Sequence, residues 1–371
     1  MQFQRPIACA AAFACFLAAC GDQSPVEVVT PGDSNLAASV EALGFRADHL
    51  RDLGEYVLVE GDILVEKQAL TRGPASSRMA GPTGPRGQYS TNYMVGQARM
   101  ALGLKVDLSH ISGAWLTAAR EAIKEYNWTL GTKIYFVESS TAADITVRYT
   151  PDFVVDGYAG AAWPTSGGHP GATIWIYTYT ANNYNAAQKK WIMVHQLGHT
   201  IGYRHADTKV LQENASPGQN FIPGTTLYDY GSVMWLGSSP QSWNGFSTFD
   251  RVANQVRYPA GTVAITSQGY DAAGHPTFTW SNAAAPEVNL YRIFYHYTAE
   301  YWEYDPSYPE GGYYTTAPYS VDLGTTTATT FTDASVVSTG NSDCGASYSI
   351  QPYYPSGKGI DRASTMVFDV C

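Results

Sequence analysis

Apolar positions recur at helical spacing in two stretches of the chain. Ile111, Trp115, Ala118, Ala119, Ala122 and Ile123 fall on one face of a helix predicted over Ile111 to Asn127, with Ser109 as its candidate cap. Asn185 to Ile201 predicts a second helix. A shorter amphipathic helix is predicted over Leu36 to Leu53, and a last one near Phe249 to Val256. Period-two alternation marks Thr132 to Val137 and Ile145 to Tyr149 as strands. Ile174-Trp175-Ile176-Tyr177 is another, preceded by the glycine-rich loop Ser166 to Gly171. The run Tyr56 to Val65 reads as a strand broken at Gly61. Beyond residue 260 the chain turns to Thr, Tyr and Ser. Strand-length runs there lie at Val263–Thr266, Thr277–Trp280, Leu290–Tyr297, Thr327–Thr332, Tyr348–Tyr353 and Thr365–Val370. That spacing is the pattern of a β-sandwich.

These patterns divide the chain. Residues 1–20 have one cation, Arg5, and then an apolar run from Ile7 to Ala19, the order of an export signal. The run ends in Leu17-Ala18-Ala19-Cys20, which resembles the lipobox of bacterial lipoproteins and implies lipid on Cys20. The other reading is an ordinary secretory signal with an incidental cysteine. Residues 21–70 form a propeptide-like segment. Residues 71–90 shift to Gly, Pro, Ser and Arg, a linker with Arg72, Arg78 and Arg86 as cutting points for an activating protease. Residues 91–260 form one domain and 261–371 another. No apolar run reaches the ~18 residues of a membrane-spanning helix, so membrane attachment is expected only through the N-terminal lipid.

Composition narrows the classes. At 44% hydrophobic and 15% charged, the chain has enough apolar material for packed cores. A net charge of -10 and scattered cations exclude the electrostatic footprint of a nucleic-acid binder. Of five cysteines, Cys9 and Cys15 leave with the signal and Cys20 carries lipid. Cys344 and Cys371 remain, and in an exported chain the simplest expectation is that they pair.

The second helix carries the chemistry: His195-Gln196-Leu197-Gly198-His199-Thr200-Ile201-Gly202-Tyr203-Arg204-His205. His195 and His199 are four apart and share a helix face. Gly202 can end the helix in a left-handed conformation and return His205 as a third nitrogen ligand. Three imidazoles with one open position are the inventory of a catalytic Zn2+ site.

The run resembles the extended zinc-binding motif of the metzincin peptidases, and more closely that of the dual-action HEIGH metallopeptidase family. The likeness continues through Phe221-Ile222-Pro223-Gly224-Thr225, Ser232-Val233-Met234 and Phe246-Ser247-Thr248-Phe249-Asp250. It implies an α+β fold, a metzincin-type domain followed here by the all-β sandwich. It also implies zinc, hydrolysis of peptide bonds in a peptide or protein substrate, and a methionine turn at Met234 beneath the metal. In the family an edge strand holds the substrate backbone; Gly160 to Trp163 or Ile174 to Tyr177 would supply it. The family's glutamate is Gln196 here. That carboxylate takes a proton from the attacking water and delivers it to the leaving amine. Gln cannot accept the proton, so activity is expected to be weak or lost. Glu213 and Asp207 are candidate replacement acids, Asp207 being the better candidate for a structural role.

Val59-Glu60-Gly61-Asp62 resembles the propeptide motif of astacin-like metzincins, whose aspartate fills the open zinc position. It reads equally as a plain turn between two strands. The tail resembles a fibronectin type III domain with Trp280 buried, and its Tyr291, Tyr295, Tyr297, Tyr301, Trp302, Tyr304 run is either a stacking surface or two faces of a strand. Three functions follow. One is a zinc metallopeptidase weakened at its base, held at the cell envelope on the outer membrane or surface and released by linker cleavage. The second is a zinc-binding pseudopeptidase that holds peptides uncut. The third is an adhesion lipoprotein acting through its sandwich.

Overall fold

The computed structural model describes residues 34–42, 45, 50–70, 87–150, 157–178, 182–208, 213, 218–226, 229–236, 240–307, 311–336, 345–360 and 364–369. The signal, Cys20, the linker cutting points, Cys344 and Cys371 lie outside them. In chain order the first elements are α1 (Ser34–Ala42), β1 (Arg51–Leu53), β2 (Tyr56–Val59), β3 (Ile63–Glu66), α2 (Lys67–Leu70), β4 (Tyr89–Ser90) and α3 (Gln97–Leu102). Then come β5 (Leu104–His110), α4 (Gly113–Asn127), β6 (Phe136–Glu138), β7 (Ile145–Tyr149), β8 (Ala159–Ala162), β9 (Thr173–Ile176) and α5 (Ala186–Thr200). After β10 (Asn220–Phe221) and α6 (Thr248–Arg257) the chain is all strand. Those strands are β11 (Ala264–Tyr270), β12 (Pro276–Ser281), β13 (Leu290–Tyr304), β14 (Gly312–Thr326), β15 (Thr330–Thr332), β16 (Gly345–Tyr353) and β17 (Ser364–Asp369).

An eight-stranded sheet runs in the order β1-β2-β3-β8-β9-β7-β5-β6. The strands β9, β7, β5 and β6 are parallel, and β8 is antiparallel to β9. Helices α4 and α5 pack together on one face. Val106, Val147 and Ile174 from the sheet meet Trp115 and Ala119 of α4 and Ile192 and Leu197 of α5 in one core. The fold is mixed α/β as expected, with one consequential addition: the N-terminal hairpin β2–β3 is built into the main sheet. Its alternation is complete. Val57, Val59 and Ile63 join a cluster with Val40 and Phe45, while Leu58 and Leu64 join Trp175 and Tyr177 on the other face.

Several predicted boundaries move. The helix expected over Leu36 to Leu53 ends at Ala42, and Leu53 lies in a strand paired with Tyr56. Ser109 belongs to β5; Ser112 holds the cap position of α4. Thr132 to Val137 is a strand only from Phe136, and Thr132 bridges Pro259. Gly87 to Ser90, the expected end of the linker, are buried, and β4 pairs with β10. Strand β14 was not predicted. Most of its residues are half-buried or exposed, so no apolar period announces it.

The tail has two antiparallel sheets, β11-β12-β15 and β14-β13-β16-β17, around a shared core that includes Phe278, Trp280, Tyr291, Tyr348 and Ile350. Trp280 is buried and meets Tyr291 edge-on. The tail docks on the main domain through Lys358. Its Nζ, buried, donates to the carbonyls of Thr129 at 3.0 Å and Ile134 at 2.9 Å. The tail's Ser356 N–H donates to Ala101 O nearby. Among the described residues no helix is long and apolar enough to cross a membrane.

Candidate metal centre

Helix α5 begins on a capping box. Asn185 accepts from Gln188 N–H, and the Gln188 side chain accepts from Asn185 N–H. The helix then runs buried to its end, since both of its long faces meet protein. It presents His195 and His199 on one stripe. Gly202, at φ 104°, reverses the chain; a Cβ there would meet Met94 Sδ at 2.7 Å and Tyr93 O at 2.8 Å, so both conformation and space demand glycine. The turn brings back His205.

The three Nε2 atoms converge. His199 Nε2 lies 2.9 Å from His195 Nε2 and 3.2 Å from His205 Nε2. One Asp62 oxygen lies 3.0, 3.4 and 3.1 Å from the rings of His195, His199 and His205. Four donor atoms at the corners of a tetrahedron around zinc, with bonds of ~2.0–2.1 Å, stand about 3.3 Å apart. The observed separations fit that figure.

The outward nitrogens complete the picture. His195 Nδ1 donates to Val233 O at 2.7 Å and His199 Nδ1 to Tyr203 O at 2.8 Å. His205 Nδ1 is held by the Glu213 carboxylate. With each Nδ1 proton committed outward, all three Nε2 lone pairs point at one spot, an arrangement that suits a cation and nothing else as well.

The electrostatics agree. Burial opposes charge on Asp62, yet His205 and His199 beside it hold its carboxyl well below the usual range. Burial lowers His199 to about 4 despite Asp62. Burial also works against a charged His205, but Asp62 and Glu213 raise it well above its ordinary value. Burial pushes Glu213 up, and His205 and Arg204 more than reverse this, to about 2.

Beneath the triad, Met234 packs on Gly198, where a Cβ would meet Met234 Sδ at 2.6 Å. Asp250 fixes this turn: its carboxylate accepts from Val233 N–H at 3.0 Å and Ser232 Oγ at 2.6 Å, and Gln88 Nε2 donates to it at 2.8 Å. Burial raises the Asp250 carboxyl. Asp207 accepts from Leu236 N–H at 3.1 Å, a structural role. Glu213 sits on the outer nitrogen of His205, away from the converging Nε2 atoms.

Gln196 is 0% exposed, and neither end of its amide has a hydrogen-bond partner among the described residues. The Tyr158 hydroxyl, whose ring lies edge-on to His195, is likewise buried without one. Buried polar atoms left open in this way call for a partner such as water, an ion or a ligand.

Neither stretch expected to supply an edge strand lies at the edge of the sheet. Strand β9 is interior. Strand β8 pairs with β9 on one side and on the other with β3, which is parallel to it, and Ala161 N–H donates to Asp62 O at 2.8 Å. The chain's own N-terminal segment therefore covers the free side of β8. Gly61 serves by conformation, at φ 90°, since a Cβ there would meet nothing. In the tail, Tyr291 is core while Tyr301, Trp302 and Tyr304 are exposed, so the aromatic run splits between packing and surface. Sequence reasoning missed Arg204 and Glu60, which meet behind the triad at 3.6 Å. Arg204 stands inside the histidine motif and Glu60 beside Asp62, but only the fold joins them.

A sequence model described as the dual-action HEIGH metallopeptidase matches residues 57–258. Among solved structures, high choriolytic enzyme 1, a hatching-enzyme zinc protease of the medaka Oryzias latipes, is similar at 16% identity over 44% of this chain and 92% of its own, with a TM-score of 0.30. OgpA from Akkermansia muciniphila is similar at 11% identity over 79% and 97%, TM-score 0.18. A catalytically inactive OgpA in complex with an O-glycopeptide gives 10% over 80% and 96%, TM-score 0.16. No curated protein matches.

Proposed function

The chain belongs to the dual-action HEIGH metallopeptidase family, and from that footing we propose that it is a zinc peptidase-type protein, held latent by its own Asp62 and weakened at Gln196. The observation that carries this reading is the convergence of three Nε2 atoms and one carboxylate oxygen in a buried cluster. His195, His199 and His205 would hold the ion, and Val233 O, Tyr203 O and Glu213 would orient them. When bound, zinc supplies Lewis acidity and makes water a usable nucleophile near neutral pH.

The chain's own residues set what happens next. Strand β8 would hold a peptide backbone by strand addition once β3 leaves. Tyr158 can donate a hydrogen bond into the site. Gln196 can orient a water through its amide but cannot take the proton, and positioned acid–base catalysis is worth about 10²–10⁴-fold. Binding therefore survives where turnover is lost or slow, which also favours the pseudopeptidase reading. The open Gln196 amide supports both.

Cutting in the Arg-bearing linker would free the main domain from the N-terminal segment. With lipid on Cys20, that cut would also release the protein from the outer membrane or cell surface. The sandwich, of fibronectin type III kind in this reading, would act as a docking or adhesion module. The deciding experiment measures zinc stoichiometry on purified, linker-cut protein together with casein turnover. One zinc per chain with low turnover supports the reading. A chain that takes up no zinc overturns it.

A further inference from the structure

The turn that carries Asp62 to the triad places a second acid. Glu60 and Gly61 both have positive φ, at 53° and 90°. Glycine adopts that conformation freely; a glutamate there is strained. Asn or Gly would suit Glu60's backbone better, so its side chain is where the position gains. That side chain is 5% exposed and faces Arg204 Nη2 at 3.6 Å.

Arg204 is 0% exposed. Its guanidinium lies 4.9 Å from the centroid of the Trp163 ring, just beyond the end of β8, and donates to Gly218 O at 3.1 Å. It also faces Glu213 at 3.5 Å. With a divalent cation on the triad, the ion and Arg204 together carry three positive charges, matched by Asp62, Glu60 and Glu213. When the N-terminal segment leaves, Asp62 and Glu60 leave with it, and Glu213 stays beside Arg204 and His205. A bound peptide with a carboxylate in the place of Glu60 restores that match.

We propose that Arg204 is a specificity subsite for an acidic side chain of a bound peptide, two residues N-terminal to the residue that faces the triad, and that Glu60 occupies it in the latent chain. This rests on the reading of the triad as a peptidase-type metal site, and it adds a substrate class: peptides carrying Glu or Asp at that position. Trp163 forms the flat wall against which the guanidinium is held, so its fork is fixed for a carboxylate.

The test uses full-length protein carrying Glu60→Gln and Asp62→Asn, cut in the linker and loaded with zinc. Labelled eight-residue copies of Val57 to Leu64 are bound to it by fluorescence anisotropy, with Glu, Asp, Gln, Leu or Lys at the position of Glu60. We expect Glu to bind about tenfold or more tightly than Gln, Lys most weakly, and the Glu preference to shrink with added salt. Arg204→Gln should bring the Glu and Gln peptides within about twofold, and Arg204→Lys should restore part of the difference. If Arg204→Gln does not fold by circular dichroism, the peptide series alone decides. Equal affinity of the Glu, Gln and Leu peptides overturns the subsite. Zinc stoichiometry and a peptide with Asn for Asp62 report separately on the metal reading. A chain that keeps its Glu preference without taking up zinc retains the subsite and loses the peptidase assignment.

Discussion

One carboxylate oxygen of Asp62 lies 3.0 Å from His195 Nε2 and, across the same small space, 3.1 Å from His205 Nε2. The residue comes from a hairpin 133 positions upstream of His195, and it stands where the three imidazoles converge. A tethered ligand competes at an effective concentration of order mM. Asp62→Ala removes that competitor but leaves the β3–β8 pairing. We expect a small hydroxamate to bind the zinc-loaded full chain about tenfold or more tightly in the variant, read by chelator-calibrated inhibitor titration. Unchanged hydroxamate affinity would falsify the switch and leave a plain turn.

Gln196 gives the second prediction. Its amide is buried and open at both ends, so a glutamate side chain would fit the same volume with no neighbour to displace. Gln196→Glu should raise casein turnover of linker-cut protein by about 10²–10⁴-fold, the ordinary value of a positioned proton acceptor. Zinc content should not change, since Gln196 is not among the converging donors. A variant that holds zinc and still cuts no faster would mean that the loss lies elsewhere in the site.

The histidine spacing made the triad legible in the sequence, because helix period and a glycine turn are local rules. Met234 was expected beneath the histidines from the family resemblance, and it packs on Gly198 of their helix. What the sequence withheld was non-local. Asp62 was readable as a turn or a switch, and only the pairing of β3 with β8 places it at the triad. Glu60 and Arg204 sit 144 positions apart in the sequence, and no periodicity links them. The exposed ribbon of β13 and β14 was half missed for the opposite reason: a strand with little burial leaves no apolar alternation to read.

Asp250 acts on the metal site without touching it. It pins Val233 N–H, and Val233 O in turn receives His195 Nδ1. It also closes the capping box of α6 with Ser247. Asp250→Ala removes the side-chain half of the capping box that accepts from Ser247 N–H and leaves buried donors unmatched, together about 3–5 kcal/mol. The urea midpoint should fall accordingly. Because groups that orient a ligand commonly contribute 10–100-fold to metal affinity, zinc should also be held more weakly in chelator competition. A stability loss with unaltered zinc affinity would limit Asp250 to the cap.

The final prediction concerns pH in the metal-free chain. His205 is raised above its ordinary value, so the folded chain takes up its proton before the unfolded chain does. That stabilisation is complete below about 6.5, the unfolded value, and is lost as pH rises through the folded one. His199 is lowered to about 4, so between about 6.5 and 4 the unfolded chain is protonated there and the folded chain is not, and stability falls with acidification. Glu213, lowered to about 2, and Asp62, also lowered, add stability above their unfolded values that is lost on further acidification. The cluster's contribution therefore peaks near pH 6.5 when no ion is present. Zinc displaces the His205 proton, so the loaded chain should keep its stability as pH rises to 8 while the chelated chain loses some. Urea midpoints at pH 4.5, 6.5 and 8, with and without zinc, check this. A chelated chain equally stable at all three values would show that these rings do not titrate against one another as the geometry requires.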